Sequence, residues 1–271
     1  MEIPEKFTAF APAKVNLYLK VLDKREDGFH NLESVFLTLN FGDTMYFQPI
    51  ECENSIEITM RGINSLIPTE KNIIFKAISL FRQKTGFSKG FKITVDKRIP
   101  LGGGLGGGSS NAASTLLALN KLAGFPCASD ALLEMAAFLG SDVPFFIHET
   151  AAALVTGRGE RIQPIETPSV HLALVNPGFT SDTAAAFRLL DEHREREKNN
   201  TNDFLSIFPE KEKSVYDGII LKLKELGAEY ANLSGSGATC FGVFNDSEQA
   251  RKAADIMRGS WDFSMFCSPK Q

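Results

Sequence analysis

Pro100-Leu101-Gly102-Gly103-Gly104-Leu105-Gly106-Gly107-Gly108-Ser109-Ser110-Asn111 places six glycines in seven residues. Ordering so free a chain costs on the order of 1–2 kcal/mol per residue, more than an ordinary turn requires. The flanks are regular. Upstream, Phe91, Ile93 and Val95 alternate with Lys92, Thr94 and Asp96, the pattern of a half-buried strand. Downstream, Ser109 or Ser110 is predicted to cap a helix carrying Ala112, Ala113, Leu116, Leu117 and Leu119, stopped by Gly124 with Pro126 just beyond. Strand, glycines, helix is the order of an anion cradle. A helix N-terminus offers free N–H groups and partial positive charge, and glycine lets a phosphate chain approach the backbone.

Other loops fit less well. Gly102, Gly104 and Gly107 satisfy a dinucleotide-binding spacing, but no acidic residue closes a second strand about 20 residues later. Asp130 is nearest, and it stands at a predicted helix start. A Walker A loop needs Lys then Ser or Thr after its second glycine, whereas Gly107 is followed by Gly108-Ser109. A flexible linker would not be framed by a strand and a capped helix.

The 271 residues allow one large core or two modest ones, and a net charge of −4 with mixed signs argues against a nucleic-acid partner. Cys52, Cys127, Cys240 and Cys267 show no metal-ligand spacing and read as thiols in a reducing compartment. The start of the chain has no signal-peptide pattern, and no run reaches 18 apolar residues. A cytoplasmic protein without membrane contact is expected.

The first third reads as β-rich. Val15, Leu17, Leu19 and Val21 form one strand face, Asp27-Gly28 turns into an extended segment over 31–40, and Gly42-Asp43 is predicted to turn into Met45 to Gln48. Ile74, Ala77, Ile78 and Phe81 mark a helix over 72–85 stopped by Gly86, and a further helix spans 130–139 before Gly140. Residues 164–169, with Pro164 and Pro168, form the candidate boundary between domains 1–163 and 164–271. Beyond it, 171–175 reads as a strand, a helix starts at Asp182 or Thr183, and another ends at Gly227. Strands at 230–233 and 239–244 flank a Ser234-Gly235-Ser236-Gly237 turn, and a last helix spans 247–257. The order β, α, α, β, β, α is that of a ferredoxin-type sandwich. The polar run 191–200 is assigned no function.

Lys14, Asn16, Tyr18 and Lys20 lie opposite the apolar face of the first strand, with alternate residues about 7 Å apart; alone, such a face is solvated. Asp142, between Gly140 and Pro144, reads as a helix N-cap, as a general base for a substrate hydroxyl, or as both. In the second reading Lys14 keeps the carboxylate ionised and neutralises a transferring phosphoryl group. Phe29 and His30 form either a hairpin with Phe29 in the core or a flat pocket, with the ring stacking on a planar ligand and the imidazole bonding its edge. The Ser234 to Gly237 turn is a hairpin turn or a second phosphate contact.

Pro12-Ala13-Lys14-Val15-Asn16-Leu17, the glycine segment and Ser234-Gly235-Ser236-Gly237 resemble, in order and spacing, the three motifs of the GHMP small-molecule kinases. Asp27-Gly28-Phe29-His30, the loop form Leu101 to Ala113, and Gly140-Ser141-Asp142-Val143-Pro144-Phe145-Phe146 are similar to those members that phosphorylate a cytidyl diphosphate sugar-alcohol on the non-mevalonate route to isoprenoids. The resemblance covers nearly the whole chain. It implies a two-domain α+β fold: an N-terminal ribosomal-protein-S5-like nucleotide domain, a C-terminal ferredoxin-like α/β sandwich, and an active site in the cleft between them. It implies transfer of phosphate from ATP, with Mg2+, to the 2-hydroxyl of the methylerythritol moiety by a monomer or weak homodimer. Lys14 and Asp142 match the catalytic pair. Pro100, Leu101, Gly102, Gly103, Gly104, Leu105, Gly106, Gly107, Gly108, Ser109 and Ser110 match the ATP phosphate loop, and Asn72 and Lys97 fall at the adenine pocket. Asn16, Phe29, His30, Phe187, Gly235 and Ser236 match substrate positions, Phe187 covering the cytosine. Phe29 stands where the family commonly has Tyr, so a phenolic hydrogen bond is lost. No metal ligand follows from the resemblance. The alternatives are a GHMP kinase for mevalonate, homoserine or a sugar, and a nucleotide-binding module without turnover. A dehydrogenase would need the missing acidic residue.

Overall fold

The computed structural model describes residues 5–62, 67–193 and 201–271. Ten strands occur among them: β1 Phe7–Lys24, β2 His30–Ile50, β3 Ile56–Arg61, β4 Gly90–Asp96, β5 Ala152–Gly157, β6 Arg161–Pro164, β7 His171–Asn176, β8 Tyr230–Leu233, β9 Cys240–Phe244 and β10 Phe263–Cys267. The helices are α1 Ile73–Thr85, α2 Gly107–Leu122, α3 Ser129–Leu139, α4 Val143–Ile147, α5 Thr183–Glu192, α6 Glu210–Glu225 and α7 Ser247–Arg258. They form two compact units that alternate along the chain. Unit 1 comprises Met1–Ala13, Gly42–Ile99 and Gly106–Thr150; unit 2 comprises Lys14–Phe41, Pro100–Leu105 and Ala151–Gln271. The sequence boundary between residues 163 and 164 falls within unit 2 and cuts β6 before its last residue, Pro164.

In unit 1 the second half of β2 runs antiparallel to β4, from Thr44 opposite Asp96 to Ile50 opposite Gly90, and β4 runs parallel to β3. The parallel pair is connected through α1, as parallel strands require. Helix α1 forms as its sequence directs. The Asn72 side chain accepts from the Ile74 N–H at 3.0 Å, Gly86 closes the end in a left-handed conformation, and Ile74, Ala77, Ile78 and Phe81 are buried. Phe47 and Phe91 meet edge-on at 6.4 Å beneath them. Strand β3 was not predicted, although Ile56, Ile58 and Met60 alternate with Glu57, Thr59 and Arg61.

Gly42-Asp43 is not a turn, because β2 passes straight through it. A Cβ on Gly42 would lie 2.3 Å from the Ala11 carbonyl oxygen and 2.7 Å from the Pro12 Cα, so glycine is there to let β1 come close.

Unit 2 holds an antiparallel sheet in the order β10-β7-β9-β8, with α6 and α7 packed on it, which is the ferredoxin-like arrangement. The expected elements are present, with β10 added as the edge strand that completes the fold. Leu172, Leu174, Leu223, Phe241, Ala254 and Met257 fill its core. The first half of β2 pairs with β5, and β5 with β6. The C-terminal residues return to β2: Asn40 N–H donates to the Ser268 carbonyl at 2.9 Å, and Lys270 N–H to the Thr38 carbonyl at 2.8 Å. Cys240 and Cys267 are free and buried, and burial pushes both thiols up. No described helix is long and apolar enough to cross a membrane.

Candidate active site

Each half of the glycine segment is secured by its own unit. In unit 2 the carbonyls of four successive residues accept bonds: Gly102 from Ser181 N–H (2.9 Å), Gly103 from Thr239 N–H (3.1 Å), Gly104 from Ser234 Oγ (2.9 Å) and Leu105 from Lys14 N–H (3.0 Å). A Cβ on Gly104 would stand 2.1 Å from the Ser234 carbonyl oxygen, so only glycine allows this contact. With the carbonyls bonded inward, the N–H groups of Gly102 to Gly106 donate to no protein acceptor among the described residues. They are open to an anion.

In unit 1 the segment becomes α2 at Gly107, two residues before the first of the predicted caps. Gly106 is the N-cap with φ of 67°, no side chain caps the helix, and Ser109 and Ser110 lie within its first turn. The first helical bond is Ser110 N–H to the Gly106 carbonyl at 2.8 Å, which leaves the N–H groups of Gly107, Gly108 and Ser109 before it. Ser110 is fully buried, and its hydroxyl has no hydrogen-bond partner. Such an orphan can donate one hydrogen bond to, or accept one from, a bound ligand or water.

Asn72 and Lys97 flank this turn. Asn72 caps α1, and the adjoining Ile73 lies 4.0 Å from where a Cβ on Gly108 would stand. Lys97 is buried and its ammonium is paired with Asp43, although burial pulls its pKa down. Asp142 precedes α4, half-buried, and its side chain does not cap that helix. The N-cap reading of Asp142 is therefore corrected. Its φ of −87° and ψ of −9° are already helical, whereas a capping side chain needs extended backbone.

In unit 2 the solvated-face expectation holds for Lys20 but fails for Lys14 and Asn16, which are 3% and 2% exposed. The ring of Phe36 lies 4.7 Å from the Lys14 ammonium, and the Ser234 turn covers the same stretch of β1. Lys14 Nζ donates to Asn16 Oδ1 at 2.5 Å, Asn16 Nδ2 to Ser34 Oγ at 2.9 Å, and Asn16 N–H to Ser234 Oγ at 3.2 Å. The Ser234 hydroxyl is thus engaged within the protein, tying β1 to the glycine segment. Ser236 Oγ lies in a hydroxyl cluster, 3.0 Å from Thr183 Oγ1 and 3.3 Å from Ser181 Oγ. Gly235 lies beside Asn16, its virtual Cβ 3.3 Å from Oδ1.

His30 and Phe187 come together. Their rings stack at 5.3 Å and 15°, and Phe187 stands edge-on to Phe204 at 5.1 Å. The Asp191 carboxylate receives His30 Nε2 at 2.8 Å and Lys24 Nζ at 2.5 Å. Its pKa falls to about 2, chiefly through the Lys24 hydrogen bond, which with His30 outweighs desolvation. Asp191 is the functional candidate that the polar run 191–200 concealed; residues 194–200 lie outside the described ones. Phe29 is not a core residue. It is 48% exposed, with the Arg158 guanidinium 5.0 Å from its ring, because the Gly28 turn projects it outward.

Two family models match: "GHMP kinases N terminal domain" over residues 72–150 and "GHMP kinases C terminal" over 185–262. The chain is 38% identical to 4-diphosphocytidyl-2-C-methyl-D-erythritol kinase of Thermodesulfovibrio yellowstonii, across 94% of this chain and 95% of that one. It is 37% identical to the enzyme of the same name from Deinococcus radiodurans, across 90% and 86%. A crystal structure of 4-(cytidine 5'-diphospho)-2C-methyl-D-erythritol kinase superposes with a TM-score of 0.80 at 30% identity, covering 98% of this chain and 100% of that one. Homoserine kinase from Cytophaga hutchinsonii, at 19% identity and a TM-score of 0.71, shares the fold. On these grounds the chain belongs to the 4-diphosphocytidyl-2-C-methyl-D-erythritol kinase family of the GHMP kinases, with their two-domain α+β fold.

Proposed function

We infer that this chain is an ATP-dependent small-molecule kinase that phosphorylates the 2-hydroxyl of 4-diphosphocytidyl-2-C-methyl-D-erythritol in the non-mevalonate isoprenoid pathway. The observation that carries the phosphate-binding part is the run of N–H groups from Gly102 to Gly106, left open while the carbonyls of Gly102 to Leu105 are bonded inward. Such a cradle binds the nucleotide's phosphates, and the first turn of α2 adds its partial positive charge. Asp142 takes the proton of the attacking hydroxyl. The oxygen bonds to the γ-phosphorus, the bond to the β-phosphate oxygen breaks, and ADP leaves. Lys14 supplies positive charge to the transferring group, held by Asn16 and the Phe36 face. The stacked His30 and Phe187 read a flat nucleobase, Phe187 lying over the cytosine, with Asp191 fixing the imidazole. Asn16, Phe29, Gly235 and Ser236 complete the substrate contacts, and Asn72 and Lys97 border the adenine.

Mg2+, if held here, would neutralise phosphate charge. Phosphate oxygens and water supply most ligands in such sites, and the orphaned Ser110 hydroxyl is the described group that fits beside them. Among the described residues no three His, Cys, Asp or Glu side chains form a metal cage. Residues 1–163 act as the nucleotide domain and 164–271 as the C-terminal domain, in a cytoplasmic monomer or weak homodimer with no nucleic-acid or membrane partner. ADP release with diphosphocytidyl-methylerythritol, mevalonate, homoserine and galactose tests the reading. Turnover is expected with the first compound alone; turnover with another and not the first overturns it.

A further inference from the structure

The glycine-rich segment leaves unit 1 at Ile99 and re-enters it at Gly106, so its geometry depends on the spacing between that exit and that entry. One side chain spans both. Asp43 is fully buried on β2. Its Oδ1 accepts the backbone N–H groups of Arg98 at 2.8 Å and Ile99 at 2.9 Å, on the stem before the glycines. Its Oδ2 accepts Asn111 Nδ2 at 3.0 Å, from α2 beyond the glycines, and the Lys97 ammonium. That ammonium lies against the first residue of the helix, 2.9 Å from where a Cβ on Gly107 would stand. Four donors from both ends of the loop converge on one carboxylate.

We propose that Asp43 is a positioning residue for nucleoside phosphates: by clasping the stem and the first turns of α2 at a fixed separation, it sets the geometry of the phosphate loop without touching the ligand. The inference rests on the loop being the phosphate site. Nothing else in the clasp can replace the carboxylate. An amide at position 43 could still accept the two backbone N–H groups, but its own NH2 would face Lys97 and Asn111, donor against donor. A buried ammonium that loses its counter-ion is strongly disfavoured, so Lys97 either draws the stem toward water or gives up its proton, and either way the charged clasp is lost. Misplacement of a binding element by about 1 Å is enough to lower function by about a hundredfold.

The test measures ADP and cytidyl-substrate affinity by calorimetry, alongside circular dichroism, for wild type, Asp43→Asn, Asp43→Asn/Asn111→Asp and Gly108→Asp. The single Asp43 variant is expected to fold and to lose about tenfold or more in ADP affinity, with the cytidyl substrate held within about twofold. Moving the carboxylate to position 111 in the double variant restores much of that loss, because the charge again lies between Lys97 and an amide. A folded Asp43→Asn protein with unchanged ADP affinity, or equal losses for both ligands, overturns the proposal. If Asp43→Asn does not fold, Asn111→Ala removes only the α2 leg and should weaken ADP binding by about threefold or more; no change would again overturn it. Gly108→Asp separates the two levels. Unchanged ADP affinity in that variant refutes the phosphate-loop reading itself, whereas its loss there with none in Asp43→Asn refutes only the clasp.

Discussion

Gly108→Asp separates the two things that a helix N-terminus can do. Gly108 is the second residue of α2 and is exposed, and a Cβ there meets nothing nearer than Ile73 Cγ2 at 4.0 Å. The new side chain therefore fits. A carboxylate in the first turn of a helix stabilises by about 0.3–1 kcal/mol, and replacing a helical glycine adds a few tenths more. For a chain of this size that corresponds to a rise in melting temperature of about 2–4 °C. The same charge opposes any phosphate at the loop. Two unit charges about 5 Å apart repel by about 0.8 kcal/mol in water and about 3 kcal/mol at an effective dielectric of 20. A polyphosphate places at least two charges within reach, so ADP affinity should fall by about tenfold at minimum, and less at high salt. Calorimetric titration with ADP and a thermal melt are the two assays, with Gly108→Asn as the neutral control of matching size. A more stable Gly108→Asp protein that binds ADP as well as the wild type would refute the placement of the phosphates. A less stable one would refute the open environment assigned to Gly108.

The other predictions concern acid–base and recognition groups. Asp142→Asn should lower kcat by about 10²–10⁴-fold while the protein stays folded; rapid-quench turnover and circular dichroism check this. His30→Ala should raise KM for the cytidyl substrate by about tenfold while KM for ATP stays within about twofold, measured by steady-state kinetics. Asp191 has a folded-state pKa of about 2 against an ordinary 3.8, so its pairing stabilises the protein above about pH 4 and is lost as pH falls toward 2. The melting difference between wild type and Asp191→Asn should therefore be largest near neutral pH and vanish by about pH 2, as followed by thermal melts across that range.

What could be read in advance was local. Asn72, the Ile74-Ala77-Ile78-Phe81 stripe and Gly86 specify α1 within 15 residues, and the structure gives that helix as Ile73–Thr85. Asp182 caps α5 through Ala184 and Ala185 in the same way. What could not be read depends on distant chain. Lys14 looked solvated because nothing within β1 says that Phe36 and the Ser234 turn cover it. Gly42-Asp43 has the composition of a turn; only the passage of β1 alongside converts the glycine into a close approach, and only the stem after β4 and helix α2 make the aspartate an acceptor. Asp191 sits in a polar run whose composition hides its contact with His30, 161 positions away. The Ser234 to Gly237 segment reads as a hairpin turn or a second phosphate contact, and neither reading foresees that the Ser234 hydroxyl joins the glycine segment to the first strand.

The return of the C-terminal residues to β2 bears on how the polypeptide reaches this state. Ser268 N–H donates to the Asn40 side chain across 228 positions of sequence, and Leu39 bridges to Pro269. Most of unit 1 lies in the intervening chain and can consolidate around its own helices while Lys14 to Phe41 still lack these partners. Closure over such a separation is entropically demanding and slow, so unit 2 should be the last part to acquire protection. During synthesis the early strands would stay with unpaired edges, the state in which nascent β structure is most exposed to aggregation and to chaperone capture.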